Sequence, residues 1–311
     1  MRETVCVPDR DRAAALLEAK AAVEDVMVWD GTGPAPAGIS RTTFLVAPYR
    51  ATALEPGQLA LMPGLRTIQL LSAGYEAWEA VVPTGVKLCT GRGVHGSSTA
   101  ELAIAGVLMH LHRHPELLDQ QKRAEWRVQP RSSCSGLSVA VIGPGDIGRT
   151  IAEVLAVLGA EVSLVGRRPG PGVVGPEELA SLLPEQDVVV LATPLTAETR
   201  RMVNRDFLHR LRPGCIVVNV ARGQIVDTDA VTEALKAGHI RAVLDVTDPE
   251  PLPKEHPLWA APGLILTPHV GGGAEGWTER ADALVRDQLN SLATGAELRN
   301  LVPMHDRGGN P

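Results

Sequence analysis

Short apolar runs alternate with amphipathic segments along most of this chain, the rhythm of an α/β protein with parallel sheets. In its first part the pattern predicts strands at 4–7, 26–29, 44–47 and 67–71, with helices at 11–20 and 56–62 between them. The segment 98–114 predicts one long helix, capped by Ser97 or Ser98, with Glu101 three residues beyond Ser98. Its apolar positions Leu102, Ile104, Ala105, Val107 and Leu108 run nearly all round, which places it between two layers or in an interface. From Leu137 the rhythm sharpens. Strands are predicted at 138–142, 161–165, 187–192, 215–220, 242–246 and 264–266, with a helix at 147–158 between the first two. The amphipathic stretch 275–294 is long enough to fold back onto the N-terminal part, and the polar, Gly-rich tail after Pro303 is expected to be disordered.

The run Ser138-Val139-Ala140-Val141-Ile142-Gly143-Pro144-Gly145-Asp146-Ile147-Gly148 sets strand, turn and helix in the order a dinucleotide-binding unit needs. Gly143 permits the tight turn, Gly145 lets backbone approach a pyrophosphate, and Gly148 lets the helix pack close to the strand. The free N–H groups and positive end of the new helix then face the phosphates. The second strand ends in Gly166-Arg167-Arg168, where an NAD site carries an acidic residue for the ribose hydroxyls. Two guanidiniums in place of a carboxylate suit a 2′-phosphate, because Arg makes forked, charge-assisted bonds to phosphate oxygens. The residues therefore predict NADP(H) in preference to NAD(H).

Three further segments stand at strand ends, where open α/β sheets place their chemistry. They are Asn219-Val220-Ala221-Arg222-Gly223, Leu244-Asp245-Val246-Thr247-Asp248-Pro249-Glu250-Pro251-Leu252-Pro253, and Leu266-Thr267-Pro268-His269-Val270-Gly271-Gly272. Taken together they resemble the D-isomer-specific 2-hydroxyacid dehydrogenase family, in particular its glyoxylate/hydroxypyruvate reductase-like, NADP-preferring members. Ala192-Thr193-Pro194-Leu195-Thr196-Ala197-Glu198-Thr199 is similar to that family's P-L-T-x-x-T cofactor loop, and Leu71-Ser72-Ala73-Gly74 extends the resemblance into the N-terminal half.

The resemblance implies that Arg222, Glu250 and His269 form the active site. It further implies that the Ser72-Ala73-Gly74 turn and Arg222 clamp the substrate carboxylate. Thr193, Pro194, Thr199, Val220, Ala221, Gly271 and Gly272 would line the cofactor, and Asp245 would hold its nicotinamide amide. The chemistry of these residue types agrees. Reduction of a 2-keto acid leaves negative charge on the carbonyl oxygen, which needs a proton donor and an electrostatic stabiliser. His269 suits the first role, Glu250 would favour and orient its imidazolium, and Arg222 can fork onto a carboxylate and polarise the ketone.

Departures from the family pattern leave the packing near Glu250 and the shape of the substrate open. Thr247 stands where Phe is common, and Tyr75-Glu76 replaces the more usual Val-Asp. Ala73 replaces the Lys of phosphite-oxidising relatives and Glu250 the Gln of formate dehydrogenases, so phosphite and formate are disfavoured. His95, His110, His112 and His114 lack carboxylate or Cys partners at ligand spacing, so no metal is expected.

The implied fold is α/β: two Rossmann-like domains with doubly wound parallel sheets. A cofactor domain, 97–272, is inserted in a discontinuous substrate domain of 1–96 and 273–311. The implied assembly is a homodimer, with 98–114 as an interface helix. The implied reaction is NADPH-dependent reduction of a small 2-keto acid, such as glyoxylate or hydroxypyruvate, to the D-2-hydroxy acid. A dinucleotide-sensing, corepressor-like interaction protein is the alternative that the same fold admits.

Composition changes this picture little. A chain of 311 residues suits about two domains. A net charge of -6, without blocks of like charge, argues against nucleic acid as a partner. Aromatics make up only 3%, so the cores must be built from Leu, Val, Ile and Ala. Four widely spaced cysteines without a C-x-x-C pair point to reduced, buried thiols rather than disulfides or zinc. The sequence shows no signal-peptide pattern and no apolar run near the ~20 residues a bilayer span needs, so a cytoplasmic location and no membrane partner are expected.

Overall fold

The computed structural model describes residues 2–18, 23–49 and 52–303. The tail after Pro303 and the last two residues of the 11–20 helix lie outside the described residues. The chain divides into two compact units, Met1–His95 with Glu275–Pro311, and Gly96–Ala274.

The first unit holds β1 (Glu3–Val7), α1 (Arg10–Glu18), β2 (Val23–Val28), β3 (Phe44–Val46), α2 (Pro56–Leu59), β4 (Thr67–Gln69), α3 (Glu76–Glu79) and β5 (Lys87–Cys89). Its five strands are parallel, in the order β2-β1-β3-β4-β5. Parallel strands need crossovers, and crossovers cover both faces of a sheet, so these strands read as continuous apolar runs. Cys6, Leu45, Ile68 and Leu88 pack into one core, while Val5, Val7, Phe44 and Val46 pack into the other.

The second unit begins with α4 (Gly96–Leu111), α5 (His114–Lys122), β6 (Ser138–Ile142), α6 (Asp146–Val157), β7 (Glu161–Val165) and β8 (Val173–Val174). It continues through α7 (Pro176–Leu182), β9 (Val188–Leu191), α8 (Arg205–Arg210), β10 (Cys215–Asn219), α9 (Thr228–Lys236), β11 (Ile240–Leu244) and β12 (Leu264–Leu266). Seven parallel strands lie in the order β12-β11-β10-β9-β6-β7-β8. The order reverses between β6 and β9, the position at which doubly wound sheets open a crevice for a ligand. Alternate residues again feed two cores: Val139, Val141, Val188 and Val190 on one face, Ala140, Ile142, Val189 and Leu191 on the other. The chain then returns to the first unit as α10 (Trp277–Thr294), which buries Ala281, Leu284, Val285 and Leu289 beside Val5, Val7 and Leu16. An Arg12–Asp282 ion pair joins α10 to α1.

The predicted helix 98–114 is corrected in two ways. It starts at Gly96, so Ser97 and Ser98 lie inside its first turn rather than capping it. The Asp146 carboxylate stands at this terminus instead: a Cβ on Gly96 would come within 1.7 Å of its Oδ2, so a side chain at position 96 would push the carboxylate aside. A carboxylate there also meets the positive end of the helix. The helix stops at Leu111 because Arg113 adopts a left-handed conformation (φ 57°), and Pro115 then opens α5.

All four cysteines are free and buried, as expected. Burial pushes the Cys6 and Cys215 thiols up to about 12 and that of Cys89 to about 11, and raises Cys134 as well. His95 and His110 are buried and spend a ring nitrogen on the carbonyls of Leu71 and Ala242 (both 2.9 Å), while His112 and His114 stack edge to face. No helix among the described residues is long and apolar enough to cross a membrane.

Candidate active site

The turn after β6 is built by the absence of side chains. Gly143 has φ 112°, and a Cβ there would stand 2.3 Å from the Ala192 carbonyl oxygen. A Cβ on Gly148 would stand 2.0 Å from Gly143 O, so α6 can leave the turn at this angle only with glycine. Gly145 differs from both. A Cβ on it would meet nothing within 4 Å, so its backbone faces open space at the N-terminus of α6, where no side chain caps the helix. Pro144 packs on Gly166, whose own Cβ would come within 2.7 Å of the Pro144 ring. Exposed amides at a 12-residue helix N-terminus, beside an open glycine surface, fit the pyrophosphate of a dinucleotide.

Two further loops border this turn. After β7, Arg167 and Arg168 are exposed, and no carboxylate stands among Val165-Gly166-Arg167-Arg168. After β9, the 193–199 loop is held by its own hydroxyls: Thr196 N donates to Thr199 Oγ1 (2.8 Å), and Thr199 Oγ1 donates to Pro194 O (2.8 Å). The Thr196 hydroxyl, the residue's own amide and the charge of Arg167 together hold the Glu198 carboxyl below its usual range.

Farther along the same sheet, three strand ends bring Arg222, Asp245, Glu250 and His269 into one unit. Asn219, fully buried, shapes the turn after β10 by accepting from Ala221 N (3.1 Å) and donating to Arg222 O (2.9 Å). Arg222 is half-buried and donates to Ala221 O (2.7 Å). Asp245, 3% exposed, organises the loop that carries His269. Its Oδ1 accepts from Thr267 Oγ1 (2.6 Å) and Val270 N (2.9 Å), and its Oδ2 accepts from Gly271 N (2.9 Å). The His269 amide donates to Asp245 O (2.8 Å), and His269 itself is left-handed (φ 53°), a conformation these bonds enforce. The His269 ring then meets Glu250: Nδ1 lies 2.5 Å from Oε1.

The residues predicted for cofactor and chemistry therefore converge within the second unit, with Val220 and Ala221 buried beneath the turn that carries Arg222. The Ser72-Ala73-Gly74 turn belongs to the first unit, after β4. There Ser72 Oγ donates to Gly74 O (2.9 Å), and Gly91 packs so tightly that its Cβ would lie 2.4 Å from Leu71. Tyr49, His95 and Trp277 form a ring cluster in the same unit, with centroids 4.7 to 5.4 Å apart. Asn219 and Thr267 escaped the sequence reading, because a side chain that serves a neighbouring backbone leaves no spacing signature.

The profile for "D-isomer specific 2-hydroxyacid dehydrogenase, NAD binding domain" matches residues 104–271. The chain is 32% identical over 275 residues to the glyoxylate reductase/hydroxypyruvate reductase of Homo sapiens, covering 81% of this chain and 83% of that one. It is 34% identical over 221 residues to the mouse protein of the same name, covering 67% of each. Among solved structures, a D-isomer specific 2-hydroxyacid dehydrogenase from Xanthobacter autotrophicus Py2, in complex with NADPH and MES, superimposes with a TM-score of 0.86. That pair is 28% identical, over 98% of this chain and 99% of the other. The chain belongs to the D-isomer-specific 2-hydroxyacid dehydrogenase family. It is accordingly an oxidoreductase for a small 2-hydroxy acid, working with a nicotinamide dinucleotide.

Proposed function

We propose that this protein reduces a small 2-keto acid of the glyoxylate or hydroxypyruvate type to the D-2-hydroxy acid, with NADPH preferred over NADH. The observation that carries the reading is the 2.5 Å contact between His269 Nδ1 and Glu250 Oε1. With Nδ1 committed to a carboxylate, Nε2 is the nitrogen left to give a proton to the substrate oxygen. The bound dinucleotide would supply the hydride. Arg222 would bind the substrate carboxylate and polarise the ketone, and the family resemblance adds the amides of the 72–74 turn as further substrate contacts. Asp245 would set the His269 loop and meet the nicotinamide amide, and Gly271 and Gly272 would border the ring.

Three findings support NADPH: the exposed Arg167 and Arg168, the lack of an acidic residue at the end of β7, and an NADPH complex among the similar structures. On this reading the second unit is the cofactor domain and the first the substrate domain. The four unpaired thiols favour the cytoplasm. A homodimer is the proposed assembly, and the fully exposed Trp126 and Val128 (99% and 90%) suit a surface that a second copy covers. The test is NADPH oxidation against a panel of 2-keto acids, with His269→Ala and Arg222→Ala alongside. Turnover lost in both variants while dinucleotide binding persists supports the assignment. Wild-type rates in both overturn it, and binding without turnover in the unmodified protein indicates a sensor instead.

A further inference from the structure

The loop that presents Glu250 is clasped by two threonine hydroxyls, one from α9 and one from within the loop itself. Asp248, Pro249 and Glu250 are all exposed, so the stretch between Thr247 and the buried Leu252 has no apolar anchor of its own among these three residues. Thr228, the first residue of α9, donates its hydroxyl to the Asp248 carbonyl at 2.7 Å. Thr247, buried three residues beyond β11, donates to the Pro249 carbonyl at 2.9 Å. Both threonines line one small apolar niche with Val226, Val231, Leu244 and Leu258, and packing there restricts their χ1 rotamers.

The block beneath is equally tight. A Cβ on Gly223 would stand 1.8 Å from Thr247 O, so the turn after Arg222 and the stretch before Glu250 pack backbone on backbone. Two captured carbonyls fix two successive peptide planes, and planar peptides transmit that constraint to the next Cα. The Glu250 side chain leaves from there and reaches His269.

We propose that Thr228 and Thr247 are positioning residues of the dehydrogenase: their hydroxyls hold the Asp248-Pro249 backbone so that Glu250 stays against His269. The proposal rests on the assignment of Glu250 and His269 made above. Neither threonine reaches the reacting atoms, so each acts through Glu250 alone.

The test is a double-mutant cycle on the full chain. Thr247→Val and Thr228→Val each remove one hydroxyl and keep the branched shape, and each should lower kcat about fivefold, one hydrogen bond's worth. The Michaelis constant for the dinucleotide should not move. Thr247→Ser and Thr228→Ser should restore the wild-type kcat. In a Glu250→Gln background, Thr247→Val should cost nothing further, whereas a merely structural role would add its full loss. If Glu250→Gln is impaired but the valine variants are normal, or additive with it, the proposal falls and the assignment of the site stands. If Glu250→Gln turns over like wild type, the assignment falls and takes the tethers with it. Should Thr247→Val fail to fold, the half-buried Thr228 carries the same cycle alone.

Discussion

The turn at 143–148 and the loops that carry Glu250 and His269 stand at the carboxyl ends of one sheet, yet they are built by opposite means. The turn works by subtraction: Gly143 and Gly148 bring backbone so close that any side chain would collide, and Gly145 leaves a bare surface. The acid loops work by addition, with Asp245, Thr228 and Thr247 spending oxygens on neighbouring amides and carbonyls. A steric cradle fails abruptly when a single atom is added. A hydrogen-bonded loop loses its precision in steps, because each bond contributes only about 1 kcal/mol.

The sharpest way to break this contrast is Gly148→Ala, whose methyl would stand 2.0 Å from Gly143 O. We expect dinucleotide binding to fall below detection in a fluorescence titration and stability to drop by about 3 kcal/mol. Retained binding would show that the turn tolerates more than its geometry suggests. Asp245→Asn comes next. An amide replaces a buried carboxylate facing one hydroxyl and two peptide N–H groups, so the His269 loop should loosen at a cost of about 2 kcal/mol. Thermal melting and kcat should fall together.

Arg167→Ala combined with Arg168→Ala probes the one part of the cradle built by addition. It should raise the Michaelis constant for NADPH about tenfold or more and leave that for NADH nearly unchanged. Equal effects on both cofactors would remove the 2′-phosphate argument.

The smallest effect is expected at Asp227, which caps α9 through Ala230 N and pairs with Arg201. Burial pushes its carboxyl up, but the helix amides and Arg201 outweigh burial and hold it below the usual carboxylate range. Its contribution is therefore present above the unfolded value near 3.8 and is lost as pH falls through the lower folded value. Asp227→Asn keeps the cap but removes the charge, so it should cost about 0.5 kcal/mol at neutral pH, and the gap to wild type in thermal melts should close in strong acid.

The same contrast decides what could be read from the chain. Strands β6, β7 and β12 coincide with their predicted limits, because a parallel strand between two cores is a plain apolar run bounded by Gly or polar residues. β5 was missed, since Lys87-Leu88-Cys89 is too short to show a period, and two-residue β8 was missed for the same reason. The dinucleotide turn was legible because subtraction leaves glycines at fixed spacing. The Glu250–His269 pairing came through resemblance, since 19 residues separate them in the chain. The tethers at Thr228 and Thr247 and the clamp at Asn219 were invisible, because a hydroxyl or amide bound to a distant carbonyl has no signature. The start of α4 was misplaced because the carboxylate at its terminus comes from Asp146, 50 residues away along the chain.

The buried thiols have a practical side. With Cys6, Cys89 and Cys215 raised to between about 11 and about 12 and Cys134 also raised, a neutral solution holds almost no thiolate on this protein. One cysteine introduced on the surface, for instance at Val157 on α6 (86% exposed), would then be the sole fast-reacting handle for a maleimide dye. The native chain thus serves as its own unlabelled background, and a reporter can be placed on either unit without first deleting a single sulfur.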